Sequence, residues 1–446
     1  SRASTERASS AIAMFRARWL PRSWTTITLV VPILAVIPDQ IAQGLWISFG
    51  VNEAMRDPSA YLVDEKWIYT GTAGLGAFFY TLAAVAWSFA LAHAKTWSRA
   101  MTALSIAAWL AMFAASTSPL LAYFGGVHVD LQLVAAFNAV GFVLLEAWLV
   151  LACEAVLARR RPFEPWGRRA RWRHPSTSPF ARAADVIANS RLLEAMASWL
   201  PLLAMRSDIT DVVYVNYIVD ASRLEHLVPR GLALQRLGPG GQHALFTFLT
   251  YRHGHFGPAL LGPLRTFCPS PVQSNWRVYV VDPRTGRRGI TFVTNAVDDV
   301  RYALAARMLS AGMPMHALAK ATITVDERIR VALDPGGGTA PDAIVDVARA
   351  QAPPRLEGAW ADCFGDWHAF LAYCVPQDRA LSTDVARGVV VRDEIELGIP
   401  LDACVFVDGS VTSTTASSLV GDAKALCFYV ERVAFSFAGE AHDPIG

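Results

Sequence analysis

The sequence predicts a two-part membrane protein: an N-terminal four-helix transmembrane bundle, then a C-terminal α+β domain built on a closed or sandwiched β-sheet. Three observations carry this reading. Only 17% of the 446 residues are charged and 53% are hydrophobic, against about 25% charged in a typical soluble domain. The mean hydropathy is +0.31, and nearly all the long apolar runs lie in the first third. From Asp211 onward, short β-type runs separated by turn residues replace them. A disordered or collagen-like chain is excluded by the same composition.

A bilayer core takes about 20 consecutive apolar residues in a helix. Four stretches meet that length: 25–49, 68–92, 101–123 and 131–157. Pro38, Asp39, Gln40 and Gln43 interrupt the first, which leaves open whether it spans fully. Charge asymmetry fixes an expected orientation, because cytoplasmic loops are rich in Lys and Arg. Arg2, Arg7, Arg16, Arg18 and Arg22 precede the first stretch, with Glu6 alone against them. The loop 51–67 is acidic, with Glu53, Asp57, Asp64 and Glu65 against Arg56 and Lys66. Lys95 and Arg99 mark the next loop, and Asp130 the one after. Arg159, Arg160, Arg161, Arg168, Arg169, Arg171 and Arg173 follow the fourth stretch. All five segments fit one topology, an inner membrane of bacterial type with both termini cytoplasmic.

The expected organisation is a basic cytoplasmic N-terminus (1–24), a four-span domain (25–157), a basic juxtamembrane linker with an interfacial helix (158–210) and a β-domain (211–446). Within the linker, Arg159, Arg160, Arg161, Arg168 and Arg169, interleaved with Trp166 and Trp172, read as lipid-interface residues: each basic residue near anionic lipid contributes about 1 kcal/mol, and Trp favours the interface. Nothing else suggests nucleic acid. Residues 190–205 read as a short interfacial helix that Ser190 caps and Pro201 limits. Inside the spans, Asp39, Asn138 and Glu146 are polar groups in a costly place. They read either as a ligand or proton site, or as groups satisfied by a neighbouring helix or a partner subunit. Gly71, Gly74 and Gly76 permit close helix packing.

In the β-domain, the expected strands are 212–219, 244–251, 276–281, 290–294, 317–325, 388–395, 404–407 and 426–437, with helices at 221–227 and 297–309. Gly336-Gly337-Gly338 and the serine-rich 410–418 read as loops, with neither a P-loop nor a nucleophile elbow around them. The six cysteines lack metal spacing and read as free thiols. His253 and His255 alternate but lack a third ligand, and read as loop or surface residues.

Several runs resemble one family. Tyr217-Ile-Val-Asp-Ala-Ser-Arg-Leu-Glu-His-Leu-Val-Pro-Arg-Gly231-Leu232 is similar to the opening of acetoacetate-decarboxylase-like domains. Ser274-Asn-Trp-Arg277-Val-Tyr-Val280, then Gly289-Ile-Thr-Phe-Val, then Met313-Pro-Met315-His316-Ala317 resemble the strand–helix blocks of a bacterial branch of that superfamily whose function is uncharacterised. Trp367-His-Ala-Phe-Leu371 and the final strand also fit, so the resemblance runs from about Asp211 to Phe437. It implies a cone-shaped antiparallel β-barrel with an internal ligand pocket. In the decarboxylase a lysine of that block forms a Schiff base with a keto acid. The matching position here is Met315, followed by His316, and neither forms an imine. The acidic residue that precedes the Asn-x-Arg strand appears as Gln273. Pocket candidates are therefore Gln273, Asn275, Arg277, Met315, His316 and Lys320. Arg277 reads equally as a carboxylate anchor or as an arginine paired with a local acid. Lys320, the one lysine nearby, shares a face with His316 by alternation.

Two functions follow as expectations. One is an accessory or scaffold subunit of a membrane assembly, with a barrel that has lost Schiff-base chemistry. The other is a membrane-tethered enzyme or binding protein for a small apolar or carboxylated ligand. The expected partners are membrane lipids, other subunits and a small molecule; no cofactor or metal is expected, and no catalytic residue can be named.

Overall fold

The computed structural model describes residues 22–93, 97–126, 128, 130–160, 162–197, 200, 202–375, 378–384 and 388–444. Arg2, Arg7, Arg16, Arg18, Lys95, Arg161 and Pro201 lie outside these. The chain forms two compact units that divide between Arg159 and Arg160.

The first unit is helical: α1 (Arg22–Leu45), α2 (Pro58–His93), α3 (Arg99–Gly125) and α4 (Leu131–Arg160). Three of these, not the expected four, hold a segment long and apolar enough to cross a membrane, judged by length and composition: Pro58–His93, Arg99–Ser118 and Ala135–Arg159. The stretch around 25–49 is helical over Arg22–Leu45 and, among the described residues, does not supply a fourth such segment. The glycines of α2 do set packing distance. A Cβ on Gly71 would stand 2.8 Å from the Ala42 Cβ, and one on Gly74 would stand 2.7 Å from Leu120, so α2 approaches its neighbours only because these side chains are missing. Trp109 and Trp148 meet edge to face at 4.8 Å and donate their indole N–H groups to Ser88 and Ser105, at 2.9 and 2.8 Å, which satisfies polar groups inside an apolar helix pair. Asp39 accepts from the Gln43 amide one turn along the same helix, at 3.1 Å. Asn138 is half-buried, whereas Glu146, two turns further along α4, is exposed.

The second unit carries the sheet. Its strands are β1 (Met205–Asp220), β2 (Ala233–Leu234), β3 (His243–Arg252), β4 (Gly257–Pro258), β5 (Val272–Val281), β6 (Arg288–Val297), β7 (Met315–Ala317), β8 (Lys320–Val325), β9 (Arg328–Asp334), β10 (Ala343–Arg349), β11 (Arg379–Asp384), β12 (Val389–Leu397), β13 (Val405–Thr412) and β14 (Leu426–Pro444). Pairing runs β1–β3–β5–β6–β11–β12–β14 and returns to β1, where Met205 meets Phe437 and Asn216 meets Leu426. The sheet is mixed rather than wholly antiparallel, since β6 pairs in parallel with β7 and β11. A bulge at Asp211, held at φ 57° with its carboxylate accepting from the Tyr429 hydroxyl at 3.0 Å, bends β1 so that it serves both neighbours. β13, β10, β9 and β8 extend from β14 as a wing, where Arg252 donates to the Ile323 carbonyl of β8 at 3.2 Å.

Alternation sorts the side chains into two cores. One face packs Phe246, Phe248, Trp276 and Val278 with the wing and the helix Thr414–Val420. Trp276 stacks on Phe248 at 4.3 Å. The other face packs Tyr214, Leu249, Tyr279, Phe292 and Phe428 with the helix Trp367–Cys374. The expected strands fall within observed ones, except that 317–325 breaks into β7 and β8; β9, β10 and β11 are additional. The segment 410–418, expected as a loop, ends β13 and starts a helix capped by Ser413.

The expected linker belongs to this unit. It contains α5 (Pro179–Asn189) and α6 (Arg191–Ala197), which pack beside α7 (Val300–Leu309); α8 is Trp367–Cys374. Ser190 caps α6 by accepting from the Leu193 amide at 3.1 Å. The lipid-interface expectation differs from the structure at several residues. Trp172 is 1% exposed, packed with Ala184, Ala188 and Met315, and Trp166 packs on the first core. Arg168 donates to the Arg307 carbonyl at 3.1 Å, and Arg169 pairs with Glu164 at 3.1 Å. The physical reason is that these aromatic rings have protein to bury against, and the guanidinium groups find carbonyls and acids within the unit. Arg159 and Arg160 end α4.

Asp393 on β12 stands opposite Glu440 on β14. Asp393 is 1% exposed and neither of its oxygens has a conventional donor. Burial first, then the neighbouring Glu440 carboxylate, pushes its pKa well above 3.8. The folded state thus holds a proton that the unfolded chain releases. That contribution to stability is full below about pH 4 and is lost as the pH rises through the raised value. Asp393→Asn should flatten this alkaline loss, read as melting temperature against pH.

Candidate functional site

The inward face of β5 sets out the candidates in a row: Gln273, Asn275 and Arg277 share it by simple alternation, and the extra residue of the β5–β6 ladder, Val293, lies on β6. Arg277 is 2% exposed. Its guanidinium donates to the Cys374 carbonyl at 3.3 Å and lies 5.6 and 5.7 Å from the ring centres of Tyr214 and Tyr279. Its Nε has no partner, and no ion pair among those of the described residues involves it. An arginine stays protonated in a protein, so this is a buried cation held by π faces and one carbonyl. Of the two readings open in the sequence, pairing with a local acid is not the one found.

Around Arg277 lies a cavity of about 30 Å³, walled by Tyr214, Leu249, Tyr251, Ile290, Phe292 and Ile395 among others. That is room for about one or two waters. The Tyr214 hydroxyl is buried and unpartnered, and burial pushes its pKa up to about 12, with Arg277 pulling the other way. A cation and a neutral phenol, both short of an acceptor, face one small apolar space. Beneath them, Thr247 donates to Asn216 at 2.9 Å, and the Tyr279 hydroxyl reaches the Cys374 carbonyl at 3.3 Å; these groups are satisfied and form a fixed floor.

A ladder of side chains runs from this cavity along β5. The Asn275 amide donates to Tyr251 at 3.0 Å, and the Gln273 amide donates to the Asn275 oxygen at 2.7 Å. The Gln273 oxygen then accepts from His253 Nε2 at 3.0 Å, which leaves His253 Nδ1 to accept from Ser207 at 2.8 Å. The amide directions fix this histidine tautomer. His253 is 1% exposed and stacks on Phe256 at 4.0 Å. Both histidines were expected as loop or surface residues: His253 lies in the loop directly after β3 but is buried under Phe256, while His255, at φ 51°, is exposed.

The other candidates separate. Met315 is buried beside Gln273 and His253 in an adjoining apolar cavity. His316 points the opposite way and meets Thr339 at 2.9 Å. Lys320 is exposed at the start of β8, in register with Asp334, and lines neither cavity. Sequence reasoning missed Tyr214, Tyr251 and His253. Tyr214 was legible as an alternate position of the first strand; Tyr251 and His253 become neighbours of Gln273 only through the β3–β5 register, in which Tyr251 pairs with Gln273. Among the described residues no cluster of His, Cys, Asp and Glu suits a metal.

Burial lowers His253 to about 4 and His316 to about 3, from 6.5. The unfolded chain therefore binds protons that the folded one refuses. Stability present above pH 6.5 is lost as the pH falls through that window, on the order of 3 kcal/mol for His253 and 5 kcal/mol for His316. This is opposite in sign to Asp393. Melting temperatures between pH 7 and 4 should fall steeply, and less steeply for His253→Gln.

Residues 206–371 match the family DUF2071, described as an uncharacterized conserved protein. No curated protein matches the chain. Among solved structures, the chain is similar to acetoacetate decarboxylase from Legionella pneumophila, at 13% identity over 55% of this chain and 87% of that one, with a TM-score of 0.39. It is similar to the enduracididine biosynthesis enzyme MppR complexed with pyruvate, at 18% identity over 55% and 91%, TM-score 0.34. It is also similar to an acetoacetate decarboxylase-like enzyme from Sphingomonas wittichii, at 11% identity over 53% and 92%, TM-score 0.38. The family match lies within the C-terminal unit, and the N-terminal helices are outside it and unrecognised.

Proposed function

We propose that the C-terminal unit binds a small organic carboxylate inside its ring of strands, without Schiff-base chemistry, and that the apolar helices hold it at a membrane. The observation that carries this is Arg277, a buried cation with no acid beside it. Removing a guanidinium from water costs several kcal/mol, repaid only by a partner of opposite charge. The protein supplies π faces and one carbonyl, so the remaining partner is an incoming anion. The unpartnered Tyr214 hydroxyl adds a second donor toward the same space. A carboxylate is the anion that a planar guanidinium meets best, and a cone-shaped barrel is the architecture that would enclose it. Met315 stands where an imine lysine would be, and Lys320 faces away, so the cavity binds and orients rather than forming an imine. The basic stretch after α4 and the acidic segment 51–67, which is helical in the structure rather than the expected loop, support spans with the C-terminal unit on the cytoplasmic side.

The test is equilibrium binding of acetate and pyruvate to the full chain in lipid nanodiscs. Both should bind, and Arg277→Met should weaken them at least about 30-fold while the melting temperature holds or rises, since an apolar isostere relieves a buried charge. Borohydride with pyruvate should leave the protein mass unchanged. Equal binding by wild type and Arg277→Met would overturn the reading.

A second reading, an accessory subunit of a membrane assembly, is favoured by Glu146. It is an exposed carboxyl in the middle of the most apolar of the three candidate spans, flanked by exposed Phe142, Val143 and Leu149. A carboxyl facing hydrocarbon is expensive, and a partner helix would relieve it. Native mass spectrometry from the source membrane should then find a protein partner that Glu146→Gln loses; a lone wild-type chain removes this reading.

A further inference from the structure

We infer that the carboxylate ligand is an amphiphile, a monocarboxylic acid whose apolar chain lies in the second cavity, beside the cationic one. This rests on the carboxylate reading above and names its substrate class. The second cavity is about 230 Å³ and is walled by Leu203, Met205, Ala306, Leu309, Met315 and Phe437, with His253 and Gln273 at one end. At about 30 Å³ per water-sized group, it holds on the order of eight.

Two features set the cavities side by side. Phe435 walls both of them. Gln273, at the edge of the apolar cavity, and Asn275 and Arg277, in the cationic one, stand in sequence on one face of one strand. The cationic space is large enough for a carboxyl group and too small for what the carboxyl is attached to, so the rest of the molecule has to lie elsewhere. The polar groups on the apolar side are already satisfied: both nitrogens of His253, both ends of the Gln273 amide, and the Tyr302 hydroxyl, which donates to the Phe256 carbonyl at 2.6 Å. A cavity that leaves no polar group to bond does not retain water and takes an apolar occupant instead. The rim has the same character. Leu203 and Pro258 line the cavity, and the Ala259 amide donates to the Ala204 carbonyl at 2.8 Å, which ties the two rim segments together. Beyond them Leu260, Leu264 and Phe267 are 74, 60 and 85% exposed. An apolar chain would therefore meet apolar surface along its whole approach.

The experiment is a chain-length series of acetate, butanoate, hexanoate and octanoate, dialysed against the full chain in nanodiscs, with protein-free nanodiscs as the blank. Affinity should rise roughly fourfold per added methylene. Ala306→Phe, which fills the cavity, should flatten that rise. Leu309→Ala, which enlarges the cavity, should extend the rise toward longer acids and guards against a misfolded first variant. If acetate binds through Arg277 but longer acids bind no tighter, the amphiphile inference falls while the carboxylate reading stands. A rise undiminished in Ala306→Phe also overturns it. If no acid binds, both fall together.

Discussion

The hydrogen-bonded seam between β1 and β14 is the constraint on which the C-terminal unit depends. It joins the first strand of the sheet to the last, and it alone turns a long sheet into a closed path. Once the path closes, a strand has an enclosed face and an outer face, and alternation then decides the fate of every side chain along it. Tyr214 and Val215 are neighbours in sequence, yet they belong to different cores. The same sorting puts Arg277 among tyrosines and its neighbours Trp276 and Val278 in the opposite core. The unpaired cation is thus a consequence of register. A one-residue slip of β5 would exchange it for an indole, and the bulge at Val293 on β6 adjusts that register locally.

Much of this was legible in the sequence where a strand is buried on both faces. Val212–Val219 and Leu426–Val430 are nearly continuous apolar runs because both of their faces are covered. The wing was not legible. Arg328–Asp334 and Ala343–Arg349 bury only every second residue, so just three side chains of each reach the core. The arginine-rich segment 159–173 misled for a different reason. Composition says that Trp166 and Trp172 seek an apolar contact, but not whether lipid or protein provides it, and the contact here is protein.

The site itself was half legible. Gln273, Asn275 and Arg277 follow from spacing on one strand. Arg277 left two readings open because the answer depends on what the strands beside it do not carry, and an absent acid across a sheet leaves no mark in local sequence. His253 was misjudged on similar grounds. Its partners come from β1 and β5, far away in the chain, and its neutrality comes from desolvation rather than from any neighbouring charge.

The wing ends on β8, a strand with one side unpaired. Such an edge offers bare amides and carbonyls to any other chain, the geometry by which sheets grow from one molecule into the next. Here one outward carbonyl, that of Ile323, is already taken by Arg252, and the strand opens on the exposed Lys320. A charge that a second strand would have to bury, and an acceptor that it would find occupied, both work against polymerisation. At a surface where chains are concentrated in two dimensions, that protection matters more than in bulk water. The lysine that has no part in the cavity would then serve to keep neighbouring copies apart.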